Sequence, residues 1–278
     1  MTAGDVIVVK GSTHAKQAVM FDGVDDELQI NASSAGLQGV ASTEGTISFW
    51  FMPDNITGTY GLYSAGAAAG AADTNLLIQQ AAGKIRIYGR IQATAGFDII
   101  TTNTVLTKGK WHHICIVQNG TRPIIYIDGA AVAMTDTVDT DLTVWWSVLV
   151  DLDEGRLGCR TIDGGEDQFL LGTLGPFKIW NTALSATEVD RENHGLDTSA
   201  ETARQAIIAA ALYNHWAWDE VLTDAGTGAD TATVVAEAYL CGWASEWSRL
   251  VEVHAVVADD LQTILYPGGA MTLILKAA

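Results

Sequence analysis

The sequence predicts an all-β protein, a two-sheet antiparallel sandwich or jelly roll with one or two short helices. Three observations lead there. Short apolar runs alternate with polar residues and are punctuated at close spacing by Gly, Asn and Asp. Helix-favouring charged residues are scarce, while Gly, Thr, Val and Ile are plentiful. With 48% apolar residues in 278, the chain can bury a core.

"AVMFDGVDDELQI" (18–30) alternates around a turn-forming "DGVDD", and "GTISFWFMP" (45–53) sets Ile47, Phe49 and Phe51 against Thr46, Ser48 and Trp50. "GAAAGAAD" (66–73) has little side chain to bury and reads as a loop. "TNLLIQQ" and "KIRIYGRI" flank the Ala-Ala-Gly at 81–83 as a hairpin. In "WHHICIVQNGTRPIIYIDG" (111–129), Asn119-Gly120 between two apolar runs marks another hairpin. "LTVWWSVLV" (142–150), "GRLGCR" (155–160) and "FLLGTLGPFKIW" (169–180) continue the run of short strands.

The texture then changes. "SATE" (185–188) is a capping box, in which the Ser185 hydroxyl and Glu188 carboxylate satisfy free amides at a helix start, and "TSAE" (198–201) repeats it ahead of a short apolar-faced helix. Strands resume from "YNHWAWDE" (213–220) to the C-terminus. No internal repeat covers the chain and no charged linker divides it.

Composition narrows function. The net charge of −18 is spread along the length, against a phosphate-tracking surface for nucleic acid. Cys115, Cys159 and Cys241 are too widely spaced for a metal knuckle or a disulfide framework, so reduced thiols are expected. No basic start with an apolar core opens the chain and no run of about 18 apolar residues occurs, so a protein made in a cytoplasm, without membrane insertion, is expected.

Several segments together carry a resemblance. "AVMFDGVDDELQI", "GTISFWFMP", "GKWHHICIVQNG", "IIYIDG" and "LGPFKIWNTALSATEV" occur in the order and character of laminin-G-like modules of the concanavalin A-like jelly-roll superfamily, of the type found in phage and bacterial surface proteins. The resemblance spans roughly residues 18–190 and implies two curved antiparallel sheets packed face to face. "HWAWDE" is similar to a strand that often precedes the "FDG" motif but here follows the helices. Since sandwich termini lie close together, such a strand can still enter the same sheet. Residues 1–248 are therefore assigned to the jelly-roll domain, and 249–278 to a strand-rich arm.

His112 and His113 are strand neighbours on opposite faces, so they cannot share a site and read as packing. Glycoside hydrolysis needs two carboxyls about 5–9.5 Å apart, and the nearest match, Asp151 and Asp153 of "DLDEG", runs into a turn and lacks the paired glutamates typical of glucanases of this fold. No catalytic residue is assigned. Asp22, Asp25 and Asp26, and secondarily Asp163, Glu166 and Asp167, sit in turns where carboxylates can converge on Ca²⁺, although aspartate commonly serves turns without metal. Trp145 and Trp146, taken as strand neighbours, would put one indole in the core and leave the other for a sugar or a partner.

The expected function is a non-catalytic structural or adhesive module of a multi-copy assembly, a homo-oligomer on a bacteriophage virion surface among other virion proteins. The alternative is a carbohydrate-binding module for host or glycan recognition, and fold alone does not choose between them.

Overall fold

A computed structural model describes residues 15–31, 37, 42–67, 74–92, 94–149, 152–162 and 164–194, with the backbone of strands at 212–216, 233–235, 239–244, 263–266 and 269–272. The second expected helix, Asp151 and Asp163 lie outside the described residues.

In chain order the first strands are β1 (Ala15–Asp22), β2 (Glu27–Gln29), β3 (Glu44–Pro53), β4 (Thr59–Gly66), β5 (Asn75–Ala81), β6 (Lys84–Ile91) and β7 (Thr94–Thr101). Next come β8 (His112–Asn119), β9 (Pro123–Ile127), β10 (Ala130–Ala131), β11 (Met134–Asp139) and β12 (Glu154–Leu157). A small hairpin, β13 (Arg160–Ile162) and β14 (Gly165–Asp167), precedes β15 (Leu171–Trp180) and the helix α1 (Ala186–Asn193). The remainder comprises β16 (Leu212–Trp216), β17 (Thr233–Val235), β18 (Tyr239–Ala244), β19 (Thr263–Tyr266) and β20 (Gly269–Thr272).

Two large antiparallel sheets result, a jelly-roll sandwich as expected. The first runs β10-β9-β8-β3-β15-β1-β18, and β16 also pairs with β15, bringing Trp216 opposite Phe177. The second runs β11-β7-β6-β5-β4-β12-β2-β17. β19 and β20 pair with each other in a separate two-stranded sheet.

Period-two alternation sends Ile47, Phe49 and Phe51 of β3 inward, against Ile78, Ile87 and Phe97 of the second sheet. Phe177 links the layers, 5.7 Å from Phe49 and 5.3 Å from Tyr63 between ring centroids. The hairpin signals hold. Ala82 and Gly83 both adopt positive φ, 50° and 74°, between β5 and β6, and Gly120, at 81°, lies in the turn that joins the antiparallel pair β8 and β9. α1 carries the complete capping box at Ser185 and Glu188, and its Val189 packs with Cys115, Tyr126 and Trp180 on the outer side of the first sheet.

"LTVWWSVLV" is not a strand. Residues 145–148 form a turn, with Val148 and Leu149 amides donating to the Trp145 carbonyl at 3.1 and 3.2 Å. Two-face alternation therefore does not apply, and both Trp145 and Trp146 are 0% exposed, with ring centroids 4.9 Å apart. Neither indole is left for a sugar or a partner, because a buried turn can carry a continuous apolar run as readily as a strand does. Gly45 makes room for this: a Cβ there would stand 2.2 Å from Trp145 Nε1.

Candidate functional site: the polar face of the second sheet

The histidine pair is structural. Thr107 N–H donates to His112 Nε2 at 3.0 Å, which leaves Nδ1 to donate to Asp128 Oδ2 at 2.9 Å. The other Asp128 oxygen accepts the His113 amide at 2.8 Å. His113 is buried on the opposite face with its ring 5.3 Å from Trp50. The expected split between faces is what the strand shows.

Asp22, Asp25 and Asp26 do converge, with ligand-capable oxygens within 4.8 Å of one another. The turn also uses these carboxylates itself: Asp26 Oδ2 accepts the Asp22 amide at 2.9 Å, and Asp22 Oδ1 accepts the Val24 amide at 2.8 Å. Glu166 and Asp167 are engaged by arginines instead, Arg156 at 3.0 Å and Arg160 respectively. Asp153 is exposed, and its suggested partner Asp151 is outside the described residues.

A larger constellation was not singled out from sequence. Every second residue of "KIRIYGRI" turns away from the core, so Lys84, Arg86, Tyr88 and Arg90 line the outer face of β6 half-exposed while Ile85 and Ile87 are buried. Register brings Gln79 of β5 opposite Arg86, and Asp98 of β7 opposite Tyr88. Arg86 reaches diagonally to Asp98, with Nε donating to Oδ1 at 2.7 Å and an Nη to Oδ2 at 2.6 Å, while its other Nη donates to Gln79 Oε1 at 3.0 Å. The guanidinium lies 5.5 Å from the Tyr88 ring centroid. Burial acts to raise the Asp98 carboxyl, but the Arg86 hydrogen bonds and charge outweigh it and hold it below its ordinary value. The same hydrogen bonds raise Arg86.

The β13–β14 hairpin lies across the neighbouring part of this face. Ser64 Oγ of β4 donates to the Thr161 carbonyl and accepts its amide, both at 3.2 Å, and Thr161 Oγ1 donates to Glu154 Oε2 at 2.5 Å. Beneath it is Arg156, 4% exposed, whose guanidinium meets Glu27 at 3.2 Å, Glu154 at 3.3 Å and Glu166 at 3.0 Å. Cys159 donates to Glu27 at 3.0 Å, and burial, with that carboxylate beside it, pushes the thiol well above its ordinary value. Gln79 also donates to Gln168, just past the hairpin, so the covered and open parts share one network.

Chemically the open part offers fixed donors, fixed acceptors and an aromatic ring, the complement a polyhydroxylated ring with apolar CH faces requires. Asp98, held below its ordinary value, is a poor proton donor near neutrality, unlike the raised carboxyl a glycosidase acid needs.

A family model for the concanavalin A-like lectin/glucanases superfamily matches residues 22–190. No curated protein matches the chain. Among solved structures, the sialidase CBM40 of Ruminococcus gnavus bound to α2,3-sialyllactose is similar at TM-score 0.53 and 12% identity, over 63% of this chain and 97% of that one. NanB sialidase of Streptococcus pneumoniae is similar at TM-score 0.52 and 18% identity over 63% of this chain, which spans only 27% of the sialidase. A candidate carbohydrate-binding protein of Bacteroides ovatus is similar at TM-score 0.52 and 14% identity, over 81% of this chain and 59% of that one. At these identities the likeness is one of fold.

Proposed function

Because the chain belongs to the concanavalin A-like lectin/glucanases superfamily, we propose that it is a non-catalytic carbohydrate-binding module. The observation that carries this reading is the Arg86–Asp98 pair, its arginine side chain 33% and its carboxylate 13% exposed, beside Tyr88 and Gln79. Charged groups already locked in direction bind hydroxyls without ordering cost, and the tyrosine supplies a stacking surface. Structural neighbours described as a sialidase CBM40 and as a candidate carbohydrate binding protein support it at the level of fold. The purified protein, applied to an array of immobilised oligosaccharides, is expected to bind a defined subset, and Arg86→Ala to abolish that binding while the protein stays folded. Absence of binding to every oligosaccharide would sink the reading.

A second reading, a structural or adhesive module of a multi-copy assembly such as a bacteriophage virion surface, has one observation in its favour. β19 and β20 pair only with each other among the described strands, and residues 261–275 contain no charged side chain in a chain of net charge −18. A two-stranded sheet is marginal alone in water. Sedimentation of the full chain and of a chain lacking residues 249–278 tests this: a multimer that becomes a folded monomer supports it, and a monomeric full chain overturns it.

A further inference from the structure

We propose that the site recognises the end of a glycan chain and not its interior, with the β13–β14 hairpin as the element that imposes this selectivity. The inference rests on the carbohydrate-binding reading and deepens it.

The polar face of the second sheet is continuous in sequence register from β11 to β2, yet the hairpin divides it. On one side, Glu27, Ser64, Glu154 and Arg156 are buried beneath or beside the hairpin. On the other, Lys84, Arg86, Tyr88 and Arg90 remain half-exposed. The dividing line is β4 and β5, where Gln79 donates to Gln168 and the Gly61 amide donates to the Gln168 carbonyl at 2.7 Å.

This barrier is fixed in place. Residues 159–160 cross Gly61 so closely that a Cβ there would lie 2.2 Å from the Cys159 carbonyl carbon and 2.4 Å from the Arg160 nitrogen. Main chain cannot yield as the tip of a side chain can. Polar bonds anchor the rest: Arg156 to Glu166, Thr161 to Glu154, and Thr161 to Ser64 on both its amide and its carbonyl.

Arg160 and Asp167 form a bidentate pair on the two hairpin strands. Gln79 accepts from Arg86 at 3.0 Å and donates to Gln168 at the end of the hairpin, which joins the hairpin to the open site through one side chain. A ligand on Tyr88 and Arg86 therefore meets a polar wall in the direction of β4. Three strands, β11, β7 and β6, lie clear of the dividing line, and the two inter-strand spacings between them amount to about 10 Å. A chain running across the strands is barred at β4 and leaves the face past the edge strand β11, so the residue it sets against the wall is its terminal one.

An array carrying each oligosaccharide twice, once anchored through its reducing end and once through its non-reducing end, separates the outcomes. Binding to one orientation only is expected. Equal binding to both orientations would overturn end recognition while leaving carbohydrate binding intact, and binding to neither overturns both. Gly61→Ala, which must lift the crossing chain, is expected to narrow the ratio between orientations by at least several-fold. The native protein's orientation ratio remains decisive should that variant not fold.

Discussion

Arg86 spans diagonally from β6 to Asp98 on β7 through two parallel hydrogen bonds of 2.7 and 2.6 Å, passing over the ring of Tyr88, the residue register places opposite Asp98. The arginine side chain is about one-third exposed, so solvent screens the pair and its contribution to folding is small, about 0.2–1 kcal/mol. Its fixed direction matters more. Arg86→Lys keeps the charge and loses the two-pronged geometry. Isothermal titration with an array-identified oligosaccharide should show Arg86→Lys binding at least tenfold more weakly at nearly unchanged melting temperature. Affinity equal to the native protein's would remove this pair from the site.

Acid should weaken the protein through two carboxylates. Asp98 and Asp128 are each lowered from 3.8, despite burial, by hydrogen bonds from Arg86 and from His112 with the His113 amide respectively. A folded value below the unfolded one means that the stabilisation is complete above the ordinary carboxyl value and is lost as pH falls through the lowered folded value. Urea midpoints should therefore decline from about pH 4 downward, and Asp98→Asn with Asp128→Asn should flatten that decline. An identical slope in the double variant would assign it to other groups.

Much of this fold is legible in the sequence alone. The alternation of Ile47, Phe49 and Phe51, the opposed faces of His112 and His113, and the Ser185–Glu188 capping box depend on neighbours within a few residues, where strand and helix periods act directly. Two things are not. Lys84, Arg86, Tyr88 and Arg90 alternate visibly, but any solvated strand face looks the same until Asp98 and the 160–167 hairpin are placed beside it. The Trp145–Trp146 turn is not legible because apolar content alone does not distinguish a buried turn from a strand.

Gly61 bears a packing constraint with no sequence signature. Gly61→Ala places a methyl group against main chain at 2.2 Å, and overpacking of this kind costs about 1–3 kcal/mol. A melting temperature lower by about 3–10 °C is expected for a domain of this size. Calorimetry showing no change would mean that the chain at 159–160 moves freely, and the wall with it.

At the first turn, the carboxylates of Asp22 and Asp26 already accept main-chain amides within the loop at 2.8 and 2.9 Å. Capping of this kind stabilises the turn without an ion. Asp26→Ala should lower the melting temperature equally with calcium and with a chelator, by about 1 kcal/mol of unfolding free energy. A native protein whose melting temperature falls on chelation would instead place a cation among Asp22, Asp25 and Asp26.

Trp146 and Tyr88 should separate stability from recognition. Trp146 is fully buried, edge-on to Tyr63 at 6.5 Å, so Trp146→Ala leaves a large cavity between the sheets and costs about 3–5 kcal/mol. Tyr88 stands on the outer face with one side of its ring toward Arg86, and Tyr88→Ala opens no cavity in the core. Denaturant midpoints and oligosaccharide affinities measured on both variants should cross. Trp146→Ala lowers the midpoint and, below it, binds as the native protein does, whereas Tyr88→Ala keeps the midpoint and loses affinity. If the two variants lose affinity alike, the ligand does not discriminate the outer face from the core, and the site must be sought elsewhere on the sandwich.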